Sequence, residues 1–562
     1  MSQNKRPDSF FAALRKVTLC ASGIYLGTWL MKNGDQGFYW IGYLFVCCGS
    51  FLIITALLRI VITSKDTALQ LSHETQTRTP SGIFGRASLA CESDTIIQTL
   101  IKGEGFLVGL FKGALLFFDP FAEGMSHMVS LGTTRVGKTI SLVIPAALYW
   151  LKGSMFVTDT KGEIYKITED YRSANNHKTV KWSPFKVNGD SGVSINPLQC
   201  LIEDVTNNQG KKLKELASDF AYILLPANPE DKQPFFARGG RRLLIAMMCY
   251  LAVFEKSKCH LPGLREMIWS SMERKKEIFT VMKSCIGYGG ILREYANLLE
   301  KQIEPEYFRT FGPMLENAME ATDIFERHTD FGKSLMKSDY DLEEFLKTPT
   351  TLYIIFSEDT SEQYGIAAGL MAVALFKKIG ARPKGFPILF LLEEAGNIGV
   401  FPKLETVLSI LTAKNVRVWL IFQSLMQLVL KYGLNRSKAI TSQCGFKQYL
   451  SVNDLEEAEN LSKRSGRRTT KTYQYSHDPQ NKDAPWRLSV SETGENVLSA
   501  DQALISEEEE QFIDIRKKPL IKANFVRYFE IKEFRETAKP SPYHDGYPSD
   551  KPVKYSLKGE MK

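Results

Sequence analysis

Three kinds of hydrophobic pattern follow one another along this chain, and each predicts a different element. Near the start, residues 38–58 form a run of 21 positions without a charge, long enough to cross a bilayer as a helix. Residues 17–31 are also uncharged, and residues 10–14 extend them if Arg15 and Lys16 reach the interface along their methylene stems. Only Lys32-Asn33-Gly34-Asp35-Gln36-Gly37 lies between. Spans at about 12–31 and 38–58 therefore predict a transmembrane hairpin in a first domain, 1–63. Beyond it the apolar runs shorten. Residues 105–109, 115–118, 128–131, 155–159, 352–356, 388–392, 416–422, 446–450 and 525–529 read as strands. Apolar runs without alternation suit parallel strands covered on both faces. Between residues 201 and 338 the spacing turns helical: Leu213, Leu216, Phe220, Ile223, then Leu243, Leu244, Met247, Met248, Leu251. The fold class expected is α/β, with an all-α insertion between strands of one sheet. The expected boundaries are 64–199 and 339–535 for the two parts of the α/β domain and 200–338 for the insertion. Residues 536–562, rich in Pro, Lys, Ser and Tyr, read as a flexible tail.

Charge orients the hairpin. Lys5, Arg6, Arg15 and Lys16 precede the first span, and Arg59 and Lys65 follow the second. The positive-inside rule then places both termini in the cytoplasm. The net charge of +8 over 562 residues permits contact with nucleic acid without demonstrating it. The nine cysteines form no C-x-x-C pair, and the seven histidines form no H-E-x-x-H pattern. Neither a disulfide framework nor a zinc site is indicated.

The most specific motif is Gly132-Thr133-Thr134-Arg135-Val136-Gly137-Lys138-Thr139. It fits G-x-x-x-x-G-K-[ST] and sits between the strand at 128–131 and a helix opening at 140–144, before Pro145. The glycines let main-chain N–H groups approach phosphates, and the helix start adds a favourable dipole. Lys138 is expected on the β- and γ-phosphates of ATP and Thr139 on Mg2+. The strand at 388–392 ends in Glu393-Glu394. Carboxylates at such a tip face the ligand crevice. Glu393 is expected to hold Mg2+ through water, and Glu394 to polarise the attacking water. Glu is unusual at the first of these positions, and its extra methylene displaces the carboxylate.

Gln423 and Ser424 end the strand at 416–422, where a side chain can sense the γ-phosphate. Asp159 and Glu163 follow another strand, where a crevice role and simple helix capping are equally expected. Lys463, Arg464, Arg467, Arg468 and Lys471 surround Gly466 and read as a solvated loop, or else as a track for a phosphate backbone.

Taken together these pieces resemble the type IV secretion coupling proteins, the VirD4/TraG/TraD group of FtsK/HerA-like ATPases. The resemblance covers the hairpin, the Gly132–Thr139 loop, Thr158 to Glu163, Ile195-Asn196-Pro197-Leu198, the helical insertion, the end of the Glu393 strand, and Gln423 to Leu428. It implies a RecA-like motor domain interrupted by an all-α domain facing the cytoplasm. It also implies a homo-hexameric ring at the bacterial inner membrane, with Gln423 as γ-phosphate sensor. The ring would pass a relaxase with single-stranded DNA, or protein effectors, to inner-membrane components of a type IV secretion channel. Some relatives carry a trans-acting arginine where residues 411–415 have none. Lys414 or Arg417 is the available substitute. Two other functions stay open from the residues: a docking scaffold that binds ATP only to assemble, and a double-stranded DNA translocase, for which a C-terminal winged helix has little room.

Overall fold

A computed structural model describes residues 8–33, 41–54, 80–227, 233–357, 359–476, 487–507, 509–543 and 551–557. The chain divides into two compact units, Met1–Arg86 with Arg467–Glu495, and Ala87–Gly466 with Asn496–Lys562.

The larger unit is built on an eleven-stranded sheet. In chain order its strands are β1 Phe106–Phe111, β2 Ala114–Phe118, β3 His127–Leu131, β4 Ser154–Asp159, β5 Lys178–Trp182, β6 Thr350–Ile355, β7 Ile388–Leu392, β8 Val416–Phe422 and β9 Cys444–Tyr449. Two more, Glu510–Ile515 and Ile521–Asn524, follow a separate ribbon, β10 Arg467–Ser476 and β11 Arg487–Asn496, and are therefore β12 and β13. The spatial order is β2-β1-β13-β12-β9-β3-β8-β7-β4-β6-β5. From β9 to β5 every pairing is parallel; from β9 outward to β2 every pairing is antiparallel.

The unbroken apolar runs are explained by where alternate residues go. In β7, Ile388, Phe390 and Leu392 join the core on one face, while Leu389 and Leu391 join the core on the other. In β3, Val129 and Leu131 take the first side and Met128 the second. Each strand is thus buried twice, and a polar residue at either set of positions needs a hydrogen-bond partner, as Ser130 of β3 has in Gln448 and Trp419.

Between β5 and β6, which pair in parallel with Val180 opposite Leu352, the chain leaves the sheet. The described residues from Gln199 to Lys333 contain helices and no strand, among them Gln199–Asn208, Leu213–Leu224, Pro234–Phe254 and Phe308–Glu320. The apolar stripe Leu213, Leu216, Phe220, Ile223 is buried, as is Leu243, Leu244, Met247, Met248, Leu251. These residues belong to the same cluster as Val129, Phe156 and Phe390. The helices therefore share a core with one sheet face.

Three expectations need correction, and one gains detail. Residues 525–529 are not a strand: β13 ends at Asn524, and Phe525, Val526 and Tyr528 are buried in near succession around a 3-10 turn, Tyr528–Glu530. The helix after the glycine loop opens ahead of Pro145, as expected, and runs past it. The first turn, Thr139–Val143, is π-helical, with the Ile144 N–H bonded to the Thr139 carbonyl, and the α-helix Ile144–Tyr149 continues through the proline. The wide turn accommodates a residue that cannot donate its own N–H. The basic cluster is not one loop: Lys463 and Arg464 end the helix Leu455–Ser465, whereas Arg467, Arg468 and Lys471 lie on β10, in the other unit. The expected tail is fastened to the body wherever it is described, as set out below.

In the smaller unit, residues 80–86 pair with the β10–β11 ribbon. Gly85 accepts from the Thr469 N–H at 3.1 Å, and the Ser81 N–H donates to Glu492 at 3.0 Å. The unit also contains the helices Asp8–Asn33 and Ile41–Ile54. The first covers the expected span at 12–31. The second covers part of that at 38–58; its remainder and the intervening turn lie outside the described residues. The two helices meet at paired glycines: a Cβ on Gly27 would lie 2.7 Å from the Gly42 carbonyl oxygen. Tyr25, Trp29, Leu44, Phe45, Phe51 and Leu52 are exposed. Among the described residues, the helix long and apolar enough to cross a membrane is Ser361–Ala381, and it is mostly buried. A two-span hairpin is therefore not shown.

Candidate nucleotide site

The glycine loop leaves the C-terminal tip of β3, and its first N–H, that of Gly132, donates to the Phe422 carbonyl at the tip of β8 at 3.2 Å. Arg135 (φ 65°) and Gly137 (φ 95°) are left-handed. Such turns curl successive N–H groups into one concavity, the arrangement that receives an anion. Lys138 folds back over it. Its Nζ donates to the carbonyls of Gly132 at 2.6 Å and Thr133 at 2.8 Å. Burial pulls the ammonium below its usual pKa, while the carboxylates of Glu394 and Glu393 work the other way.

The tip of β7 comes to the same place. Glu393 is 5% exposed, and its Oε1 accepts from the Thr139 hydroxyl. Its carbonyl accepts from Thr158 Oγ1, near the end of β4, at 2.8 Å. Burial raises the Glu393 pKa to about 8; Asp159 and Glu394 add to the rise, and Thr139 and Lys138 oppose it. Glu394 is left-handed, φ 54°. That conformation, unusual for a residue with a side chain, lets two consecutive carboxylates serve one crevice where a continued strand would send them to opposite faces. Gln423 Nε2, just past β8, donates to Glu394 Oε2 at 3.2 Å.

The residues named from sequence thus converge as two pairs, Thr139 with Glu393 and Glu394 with Gln423, around the concavity and Lys138. Asp159 holds the start of the helix Glu163–Ala174, whose N-cap is Gly162: its Oδ2 accepts from the Tyr165 N–H at 2.9 Å and its Oδ1 from the Lys161 N–H at 3.2 Å. Its burial raises the pKa to about 6. Lys414 and Arg417 are both committed within the chain. Arg417 is buried, donates from Nε to the Pro120 carbonyl at 2.6 Å and covers the Phe121 ring. Lys414 Nζ reaches the Arg382 carbonyl at 2.5 Å.

Sequence reasoning missed Lys431. It lies on the helix Leu425–Tyr432, one turn beyond Gln427, with its Nζ on the Gly396 carbonyl and its pKa lowered to about 8 by burial. Gln427 accepts from the Gln423 N–H at 3.1 Å. Lys431 thus fixes the helix after β8 against the loop after β7, while Gln427 holds the start of that helix to the end of β8. The only sequence signal is their spacing of four.

Among the described residues no cluster of three or more His, Cys, Asp or Glu is placed to hold a metal unaided. A hydroxyl and a carboxylate already bonded to each other, beside an anion cradle, fit Mg2+, which takes few protein oxygens and shares the rest with phosphates and water.

The strand, left-handed glycine loop, returning lysine and helix N-terminus define a P-loop nucleotide-binding fold. The chain belongs to the family described as type IV secretory system conjugative DNA transfer, whose sequence model matches residues 79–545; it is a member of the coupling-protein group that its motifs resemble. It is similar to Protein VirD4 of Rhizobium radiobacter, 23% identical over 78% of this chain and 62% of the relative. It is also similar to the conjugal transfer protein TraG of Escherichia coli, 21% identical over 63% of this chain and 57% of the relative. The chain thus spans less than two thirds of these relatives' length. Among solved structures it shares the fold of the bacterial conjugative coupling protein TrwBdeltaN70, with a TM-score of 0.57 and 14% identity over 79% of this chain and 93% of that one. A TrwB structure in complex with the non-hydrolysable ATP analogue ADPNP matches with a TM-score of 0.55 and 14% identity over 80% of this chain and 95% of that one.

Proposed function

We propose that this chain is an ATP-hydrolysing coupling protein of the bacterial inner membrane. It receives a relaxase bound to single-stranded DNA, or protein effectors, and passes them to a type IV secretion channel. The carrying observation is the convergence of Lys138, Thr139–Glu393 and Glu394–Gln423 on one crevice at the strand tips. Family membership supports the conjugative role.

In this reading the loop N–H groups after Gly132, whose own N–H stays on the Phe422 carbonyl, and the Lys138 ammonium take the phosphates of ATP, Lys138 exchanging its two carbonyl partners for phosphate oxygens. Thr139 would hold Mg2+ through its hydroxyl and Glu393 through water, and the ion would neutralise developing phosphate charge. Glu394 orients and deprotonates the attacking water, and Gln423 holds Glu394 until the γ-phosphate competes for its amide. Residues 200–338 form the cytoplasmic domain that meets substrate, and six copies form a ring. The paired glycines and exposed apolar side chains of the helices Asp8–Asn33 and Ile41–Ile54 support a membrane hairpin, and its basic flanks favour both termini in the cytoplasm. Lys138→Ala is expected to insert normally and to abolish transfer of a mobilisable plasmid; normal transfer by that variant overturns the proposal.

A further inference from the structure

After Ala538 the chain returns to the loop that follows β4. The Lys539 N–H donates to the Ile167 carbonyl at 3.1 Å, and its ammonium pairs with Asp170 at 2.5 Å. Ser541 Oγ donates to Glu163 Oε1 at 2.6 Å, with both residues buried. Tyr543 OH donates to the Lys161 carbonyl at 2.5 Å, and Asn188 Nδ2 donates to the same carbonyl at 2.9 Å. Farther along, Tyr555 bridges Ile531 and the Leu557 N–H donates to Glu533 at 2.9 Å. The stretch is fastened on both sides of residues 544–550.

What it fastens is the turn beside the candidate site. Gly162 is left-handed at φ 69°, and glycine gives such a turn little stiffness of its own. The Lys161 carbonyl lies outside the helix ladder and takes its donors from Asn188 and Tyr543. The Glu163 carboxylate suits a helix start, yet once buried it needs a donor, and Ser541 supplies one. Inside the turn the Lys161 and Tyr165 N–H groups hold Asp159. Thr158, one residue earlier, holds the Glu393 main chain. Two sets of hydrogen bonds, joined by the Thr158–Asp159 peptide, therefore connect the C-terminal segment to the β7 tip.

We propose that residues 539–543 strap the nucleotide site, with Ser541 and Tyr543 as positioning residues that fix the Asp159–Glu163 turn and, through β4, the main chain of Glu393. This rests on the nucleotide reading above. Neither side chain touches nucleotide; both act through the turn.

The test uses the full chain in lipid nanodiscs, comparing Tyr543→Phe, Ser541→Ala and the hydroxyl-retaining Ser541→Thr. Three quantities are read: amide exchange of residues 159–165, Mg-ADP affinity, and kcat against KM for ATP. Loss of the Tyr543 bond, to a neutral carbonyl, corresponds to about fivefold, and loss of the Ser541 bond, to a carboxylate, to about tenfold or more. Tyr543→Phe and Ser541→Ala are expected to speed exchange in 159–165 and to lower kcat by about those factors, with the thermal midpoint and KM nearly unchanged and Ser541→Thr restoring exchange and kcat. Unaltered exchange in 159–165, or a fall in kcat that only tracks the folded fraction, overturns the strap. A wild-type chain that neither binds Mg-ADP nor turns over ATP refutes the nucleotide reading and with it any positioning role; the exchange data then show separately whether the contacts form.

Discussion

Glu394→Gln separates chemistry from binding at this site. The amide keeps the size of the side chain and leaves an oxygen to accept from Gln423, 3.2 Å away in the wild type, so the left-handed turn and its neighbours stay in place. Lys138 and Thr139, whose partners are the loop carbonyls and Glu393, are untouched. What disappears is the capacity to take a proton from water. General-base assistance contributes about 10²–10⁴ in rate, so kcat should fall by at least about 100-fold. Mg-ADP affinity should change less than about threefold, since a uniform-binding contact has not been removed. Gln423→Ala removes one hydrogen bond to a carboxylate, worth about 1.5–3 kcal/mol. The double variant should be slower than Glu394→Gln alone only by what the Gln423 amide contributes at the γ-phosphate, because its hold on Glu394 no longer matters once the base is gone. Steady-state phosphate release and calorimetric Mg-ADP titration on the same preparations supply the numbers. A Glu394→Gln kcat within threefold of wild type refutes the assignment of the base.

Further outcomes follow from the packing. Phe390 is fully buried, with ring centroids 4.7 Å from Phe376 and 5.2 Å from Phe156; Phe390→Ala should cost about 3–5 kcal/mol in urea unfolding. His127 is fully buried and held neutral, its Nδ1 accepting from the Val418 N–H at 2.9 Å and its pKa pushed down to about 4 by burial. The unfolded chain takes up that proton near pH 6.5 and the folded chain does not. The share of stability due to His127 is therefore whole above about pH 6.5 and declines as pH falls towards 4, by up to about 3 kcal/mol; His177 and His260, also lowered to about 4 by burial, decline beside it, so His127→Gln should remove only its own share of the loss in unfolding measured against pH. Gly27→Leu places a side chain where a Cβ alone would sit 2.7 Å from the Gly42 oxygen. The variant should reach the membrane yet lose cross-linking between cysteines placed on the two helices.

The parts of this fold legible in the sequence are those set by local pattern. Doubly buried strands require unbroken apolar runs, so β3, β4, β6, β7 and β8 stand out. β12 does not: Glu507 to Glu509 precede it, Glu510 begins it, and Gln511 and Asp514 interrupt its apolar positions; Gln511 is nonetheless fully buried because it accepts from Gln448 and donates to the Val108 carbonyl. Residues 525–529 look like a strand because Phe525, Val526 and Tyr528 are apolar, but their burial comes from closing over the sheet's second face. The site shows the same division. The Gly132–Thr139 loop is one short segment whose chemistry depends on its own backbone. Lys431 on the Gly396 carbonyl, and Ser541 and Tyr543 on the turn after β4, are contacts between distant segments, and composition made residues 536–562 look like solvent-exposed tail. The basic residues around Gly466 misled for a related reason: adjacent in sequence, they divide between a helix end and a ribbon.

The central claim is that the Gly132–Thr139 loop powers transfer by hydrolysing ATP. Its most direct test is phosphate release by the full chain in lipid nanodiscs, wild type against Lys138→Ala, with and without single-stranded DNA. The account predicts wild-type turnover that single-stranded DNA raises, and a loss of at least about 100-fold in the variant, the scale expected when electrostatic stabilisation of a phosphoryl transition state is removed. Equal rates in wild type and variant, or no turnover in wild type under any of these conditions, would contradict it.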